Sequence, residues 1–570
     1  MSATRARHTG LAVGLGGVAL AGQVQRWWPY LSDDALISLR YAQRLLDGHG
    51  LTWTDGPAVE GYSNLLFVLL TAALGALGVD LIDAARVVGI GATAAWMGAA
   101  AWLGARGGLA GAVGAVAVLA ASGIVGIWAL GGLEQPLLCA LVAIALACWV
   151  DERPRLAAAA LALCALTRPD APLLVALVCG GAWLADGQDR RALVRAVVLG
   201  LPALGATAGQ LVFRVFTYGD VVPNTAHAKL PAGTERLDGG ALYVWEGLST
   251  HGPTLAAAAV ALVYGGPLVR LALPLLGGWL AYVVWIGGDI FPGYRHLAPT
   301  LVPLSMLVGV AAAGLAKTRG RTLAVLGLLA AGGGAQWADQ QEAPHFVRAE
   351  LETWVWDGQV IGELLGQAFP GSLVAVSAAG CVPYWSGLPS LDMLGLNDRW
   401  IATHPPADRG RGWLGHDLGD GAYVLEQAPD LLLFCGPRGS EKACHRSERE
   451  LLALPDFRAA HRLVAIRGEQ PHGVDAVVWI RLDGRAGLAP DAGAVGVPGW
   501  LLDGQGAAVW RGGRLVRPVG QGGLRLQLPP ELSEASVRGI DGDPGLAATV
   551  AAGTLTVSGV GELRRVTLTR

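Results

Sequence analysis

Before about residue 338 the chain is a succession of Ala, Leu, Val and Gly runs from which charge is nearly excluded. A run of about 20 apolar residues spans the bilayer core as a helix, and this constrains the fold more than any other feature. The runs fall at roughly 10–28, 64–79, 87–104, 108–130, 136–150, 156–167, 171–185, 192–213, 252–268, 271–287, 297–316 and 322–337. After them, charges, prolines and turn residues are spread evenly. Hydrophobic residues make up 53% of the chain and charged ones 15%, and it is their segregation that points to a polytopic membrane protein with a soluble part attached. The short runs flanking Arg168-Pro169-Asp170 read as two half-helices or a re-entrant element, which leaves about eleven crossings.

Basic residues set the expected orientation. Arg5, Arg7 and His8 precede the first run, and Arg153/Arg155, Arg190/Arg191/Arg195 and Lys317/Arg319/Arg321 lie in short connections. The positive-inside rule places these in the cytoplasm. The loops carrying Asp33 and Asp34, residues 214–250 and 288–296, and the C-terminal part are then external, which favours an odd number of crossings. The first run lacks a small-residue cleavage site before Trp27-Trp28 and reads as a retained anchor. The expected location is the inner (plasma) membrane, with the active face toward the periplasm or cell exterior.

The net charge of −3 excludes nothing, but no basic stripe with interleaved aromatics suggests nucleic acid. Cys139, Cys148, Cys164 and Cys179 sit in apolar runs as small core residues. Cys435 and Cys444 are close enough in sequence for a local disulfide in an oxidising compartment. No Cys/His spacing reads as a zinc site.

Three domains are expected: a membrane domain over 1–338, a soluble α/β domain over 339–485 and a small β-rich domain over 486–570. In the second, Leu351–Leu365 has helical periodicity, and Ser372–Ser377, Asp430–Phe434 and Ala476–Ile480 look like short buried strands. In the third, Arg514–Arg517, Leu524–Leu528 and Thr554–Val557 alternate between turn signals, as in a small antiparallel β sandwich.

The chemistry concentrates after the first run, in Asp33–Asn64, DDALISLRYAQRLLDGHGLTWTDGPAVEGYSN. Two adjacent carboxylates where a membrane helix meets water are costly to hold, and either could take a proton from a substrate hydroxyl. The bland alternative is that Ser32 or Asp33 caps a helix running through Tyr41. On that helix Asp33 and Arg40 share a face, as do Asp34 and Tyr41, so a carboxylate and a guanidinium could address one ligand. Asp47-Gly48-His49-Gly50 supplies a glycine stop, and Glu60-Gly61-Tyr62-Ser63-Asn64 opens the next run with a polar cluster.

This stretch resembles the N-terminal signature of the GT-C superfamily of polyprenyl-phosphate-sugar-dependent glycosyltransferases, and within it the terminal β-(1→2)-arabinofuranosyltransferases of mycobacteria. The resemblance continues through Gly132-Leu133-Glu134, Thr167-Arg168-Pro169-Asp170, Tyr218–Lys229 with Asn224 and His227, and Gly287–His296 with Asp289 and Arg295. It recurs at Asp392–Asp398, which includes Asn397, and at Gly415–Gly421, which includes His416 and Asp420. It covers about residues 20–430 and not the β-rich tail.

The resemblance implies an inverting transfer of a sugar, arabinofuranose if the likeness extends so far, from a polyprenyl phosphate to a cell-envelope glycan or glycolipid. Asp33 or Asp34 is then the base, with Asp33 favoured. Arg295, His296, Arg40 and Lys229 become candidates to hold the leaving phosphate, and Arg168 depends on the disputed crossing. Tyr41, Glu60, Tyr62, Asn64, Glu134, Asp170, Asn224, His227, Asp289, Asp392, Asn397, Asp398, His416 and Asp420 would line the substrate site. No cofactor and no metal is expected, because the Asp33-Asp34 pair lacks DxD spacing, although adjacent aspartates suit a hard divalent cation.

Each residue has a plainer role open to it. Arg295 could simply pair with Asp289, Asp170 could cap the following helix, and the acids and amides after residue 390 could be turn residues. Two other classes compete: a transporter or flippase of lipid-linked sugars, which needs broken helices meeting near the bilayer midplane, internal pseudo-symmetry and access from both faces, and a scaffold, which leaves the interfacial charges without a purpose.

Overall fold

The computed structural model describes residues 3–229, 235–409, 415–468, 473, 475–491, 493–511 and 513–569. They form two compact units, the first made of residues 1–51 and 62–352, the second of residues 52–61 and 353–570.

The first unit is helical throughout. Among the described residues four helices are long and apolar enough to cross a membrane: Leu81–Gly107, Arg190–Tyr218, Pro267–Ile286 and Arg295–Leu315. Five shorter apolar helices accompany them, among them Pro154–Ala165 and Ala171–Ala185 on either side of Arg168. The helix count expected from the apolar runs therefore exceeds what length and composition establish. Helix Ala3–Arg26 covers the first run, but its glycines and polar residues keep it out of the spanning set.

The run at 108–130, expected as one span, is broken. Helices Leu109–Ala120 and Gly123–Leu130 meet at a 63° bend. A break in an apolar layer exposes backbone groups that must find partners. Here side chains from distant helices provide them. Gln23 donates to the Ala120 carbonyl, and Gln336 donates to the Ala121 carbonyl at 3.0 Å. The Gln340 side-chain amide oxygen accepts from the Gly123 N–H at 2.7 Å, and Ser122 Oγ meets His251 Nε2 at 2.9 Å. The bend aims helix Gly123–Leu130 so that the Trp128 indole N–H donates to the Gly293 carbonyl at 3.1 Å, fixing the loop that precedes Arg295.

The second unit is built on a sheet of 11 strands. Its parallel heart is Ser390–Asp392, Val374–Val376 and Leu431–Leu433, in that order, every residue of which is buried. Strands buried on both faces read as apolar runs, as Val374–Val376 and Leu431–Leu433 do, whereas Ser390–Asp392 carries polar residues and was not expected as a strand. Asp475–Arg481 and His461–Gly468 follow antiparallel. His461–Gly468 then pairs with Ala508–Arg511, so the sheet passes the expected domain limit at 486 without interruption. Most of the tail thus extends this sheet in place of forming a separate sandwich. Leu524–Gln527, Thr554–Ser558 and Ala547–Ala551 form a second sheet of three strands. In it Leu524 and Leu526 point inward opposite Val557 and Leu555, the alternation their spacing requires. Cys435 and Cys444 are joined as a disulfide.

Candidate functional site

Helix Asp33–Leu46 starts at Ser32, whose side chain makes no capping bond. The two acids in its first turn favour the positive end of the helix dipole. The helix packs closely on Gly132, where φ is +75° and an added Cβ would meet Ala35 Cβ and Leu31 Cδ1 at 2.7 Å. Only glycine accepts both the backbone angle and the approach.

Two ionic networks in the first unit begin on this helix. Asp34 accepts from the Lys229 ammonium at 3.0 Å and lies 3.8 Å from Arg295 Nη1. Arg295 is paired through Nε with Asp289, and His296 Nε2 is 3.8 Å from the same carboxylate. One turn after Asp34, Ser38 donates to Asn64 at 3.0 Å, and Asn64 donates to Glu134 at 2.8 Å. Glu134 accepts from Arg168 at 2.7 Å, and Arg168 makes a two-pronged pair with Asp170 at 2.8 and 2.9 Å. Tyr282 closes the chain on Asp170 at 2.9 Å. Asp170 opens the next helix without a side-chain capping bond, so the capping alternative gives way to the ion pair.

Burial would push the Asp34 carboxyl up, but Lys229 and Arg295 outweigh it and hold it below the usual carboxylate range. Asp289 is similarly opposed by burial and drawn down by Arg295 and His296, to about 2. The ammonium of Lys229 carries three N–H donors and gives one to Asp34 among the described residues. Arg295 Nη1 stands at ion-pair distance from Asp34 but beyond a hydrogen bond. Two cations with donor capacity left over suit an anion better than a divalent cation. Arg295 also lies over Phe291 at 4.3 Å and near Trp128 at 5.8 Å, which fixes the guanidinium plane. Tyr294, just before it, holds φ at +45°, an uncommon conformation for a bulky residue that marks a constrained turn.

The remaining sequence candidates separate by unit. Tyr41 and Tyr62 stack edge to face at 4.8 Å, and Tyr62 reaches the Tyr218 hydroxyl at 3.2 Å. His227 pairs with Asp220 at 3.0 Å on the same short helix as Lys229, where Asn224 is the buried first residue. Arg40 is buried within the helix that carries Asp34. Glu60 belongs to the second unit, as do Asp392, Asn397, Asp398, His416 and Asp420.

Each of the acids Asp392, Asp398 and Asp420 accepts from nearby backbone N–H groups, and Asp398 and Asp420 also accept from the Tyr423 hydroxyl and the Trp400 indole. Asp392 accepts from the N–H groups of Leu394 and Asn397 and from the Asn397 amide. Asp398 and Asp420 cap the helices that follow them, and His416 lies 5.6 Å from the His445 ring. Burial raises Asp392 to about 6 despite its donors.

Ser38 and Tyr282 were missed as site residues. Ser38 was available from its i+4 relation to Asp34, whereas Tyr282 lies inside an apolar run and gave only an interfacial-aromatic signal. Among the described residues the one cluster of three metal-capable side chains is Cys435, Cys444 and Glu448, and its sulfurs are joined to each other.

The chain combines a helical unit, four helices of which are long and apolar enough to cross a membrane, with a sheet-bearing unit, and its fold is similar to that of solved structures. A crystal structure of ArnT from Cupriavidus metallidurans in the apo state superposes with a TM-score of 0.50 at 13% identity, covering 84% of this chain and 100% of that one. ArnT bound to undecaprenyl phosphate gives a TM-score of 0.48 at 13% identity, over 67% of this chain and 85% of that one. The mycobacterial arabinofuranosyltransferase AftD gives 0.43 at 17% identity, over 84% of this chain and 42% of that one. Identities this low speak for the fold alone. Residues 346–478 match a family model described as a domain of unknown function, DUF8728. No curated protein matches the chain in sequence.

Proposed function

We propose that this protein is an integral membrane glycosyltransferase that moves a sugar from a polyprenyl-phosphate donor to a cell-envelope glycan or glycolipid. One observation carries the reading. Lys229 and Arg295 converge on Asp34 with N–H donors beyond those their carboxylate partners take, and a phosphate would meet them there. The fold agrees with this, since ArnT, whose apo structure superposes here, has also been solved with undecaprenyl phosphate.

In the proposed reaction an acceptor hydroxyl attacks the anomeric carbon and its proton passes to a carboxylate of helix Asp33–Leu46. The bond from the anomeric carbon to the phosphate oxygen breaks with inversion. The departing polyprenyl phosphate gains negative charge, which Lys229 and Arg295 stabilise. A carboxylate held low by two cations is a poor proton acceptor, so Asp33 takes the role of base and Asp34 orients the cations. Arabinofuranose is the sugar that the sequence motifs favour, and the periplasmic face of the inner membrane is the side that the basic connections favour.

Binding of labelled undecaprenyl phosphate to the detergent-purified protein tests the anion site. Lys229→Met and Arg295→Met should each weaken binding about tenfold or more, the worth of one charged hydrogen bond. Arg481→Met, which removes a cation paired with Asp430 in the second unit, should leave it unchanged. Equal binding by all three variants would sink the proposal.

A further inference from the structure

In the loop Gly287–His296, Tyr294 is the residue least suited to its own backbone. Its φ of +45° lies in the left-handed region, where a bulky side chain crowds the chain. Such an angle persists only where the surroundings over-determine it.

Here the surroundings close on the ring from several sides. Tyr294 stacks on His345 at 4.2 Å, meets Tyr243 edge to face at 5.3 Å and lies 6.0 Å from Phe346. On helix Glu235–Ser249, Gly247 leaves room for it, since an added Cβ there would come within 3.1 Å of Tyr294 Cγ. His345 and Phe346 belong to helix Pro344–Leu351, which the Arg26–Glu350 ion pair moors to the first helix at 2.7 Å. Phe346 is buried, 6.4 Å from Trp27.

The backbone around Tyr294 is held as well. Arg348 donates to the Ile290 carbonyl at 3.0 Å, and the Trp128 indole donates to the Gly293 carbonyl. Trp279 donates to the His296 carbonyl at 2.7 Å, and the Tyr243 hydroxyl accepts from the His296 N–H at 3.3 Å. All of these groups belong to the first unit. What they fix in common is the direction in which Arg295 leaves the chain. With Tyr294 in the left-handed region, Arg295 pairs with Asp289 of its own loop and brings Nη1 to 3.8 Å from Asp34. A return of Tyr294 to negative φ would swing the following residue elsewhere.

We propose that Tyr294 is a positioning residue that acts through Arg295: the caged ring holds the left-handed turn, and the turn presents the guanidinium to the polyprenyl phosphate. Arg348 supports the same turn from the Ile290 carbonyl. The proposal rests on the glycosyltransferase reading above.

The test is a double-mutant cycle in the full-length, detergent-purified protein, read by binding of labelled undecaprenyl phosphate and by thermal unfolding. Tyr294→Gly removes the ring yet accepts the positive φ. It should weaken binding about threefold to tenfold in the wild-type background, and less than about twofold further in the Arg295→Met background. Tyr294→Phe, which keeps the ring, should restore binding to within about twofold of wild type. Arg348→Met, a change at an exposed position, should weaken binding in the same direction but less, and again only while Arg295 is present. Additive losses in Tyr294→Gly and Arg295→Met would overturn the proposal, since the ring would then act on the fold and not through the guanidinium. Wild-type binding by Tyr294→Gly would overturn it too, and would leave the glycosyltransferase reading standing. If Tyr294→Gly fails to fold, the cycle of Arg348→Met with Arg295→Met decides in the same way, additivity counting against the proposal. Wild-type binding by Arg295→Met would remove the phosphate reading itself and the positioning role with it.

Discussion

Several buried carboxylates differ in their partners between the two units, although Asp430 of the second unit is also buried and pairs with Arg481. In the first, Asp34, Glu134, Asp170 and Asp289 face guanidinium and ammonium groups. In the second, Asp392 and Glu448 are wrapped by donors without net charge, Glu448 by the Ser377 hydroxyl and by the N–H groups of Cys435, Cys444 and His445. A carboxylate surrounded by backbone N–H groups has its lone pairs committed to shaping a loop. Charged side chains can exchange one anion for another, which a ligand site requires. Residue type alone therefore does not say whether a buried carboxylate faces a charged side chain or a set of backbone N–H groups; the partners do.

The contrast can be broken by deleting one partner in each unit. Arg168→Met leaves Glu134 and Asp170 buried without their cation, and should destabilise the first unit by about 3–5 kcal/mol. Asp398→Asn keeps an acceptor for the Ile401 N–H and should cost about 1 kcal/mol or less. Thermal unfolding in detergent compares the two, and equal losses would erase the distinction.

A smaller effect sharpens it through pH. Asp289 sits at about 2 in the fold against about 3.9 when unfolded, so its stabilisation is complete above pH 4 and is lost as pH falls toward 2. Asp392 sits at about 6, above its unfolded value, so its contribution is complete below pH 4 and is lost as pH rises through 6. Each is worth on the order of 3 kcal/mol. Unfolding followed from pH 4 to 7 should show the second unit weakening as pH rises, and Asp392→Asn should flatten that slope. An unchanged slope in the variant would assign the pH dependence to another group.

Much of this was legible in the chain. The apolar runs, the buried strands Val374–Val376 and Leu431–Leu433 and the helix beginning at Asp33 follow from local periodicity alone, whereas strand Ser390–Asp392 does not. The pairing of Arg168 with Asp170 was hidden behind an equally good helix-capping reading, because both acids and caps favour that position. The bend at Ser122 was not legible, since the apolar run continues across it and the groups that satisfy it come from residues 23, 251, 336 and 340. The contact of Trp53 with the Ala379 carbonyl was not legible, because a partner more than 320 residues away leaves no local trace. The acids after residue 390 share a motif with the family's signatures, and only their hydrogen-bond partners reveal what they do within their own unit.

Sugar transfer in purified membranes tests the central claim most directly. Polyprenyl-phosphate pentose and hexose donors are offered with cell-envelope glycan to the wild type, Asp33→Asn and Asp34→Asn, each checked for intact folding. Wild-type transfer that falls at least about a hundredfold in Asp33→Asn is the expected result, the usual contribution of a general base. A comparable fall confined to Asp34→Asn would exchange the roles of the two aspartates. Undiminished transfer in both variants, or movement of lipid-linked sugar across vesicles with no transfer at all, would contradict the account.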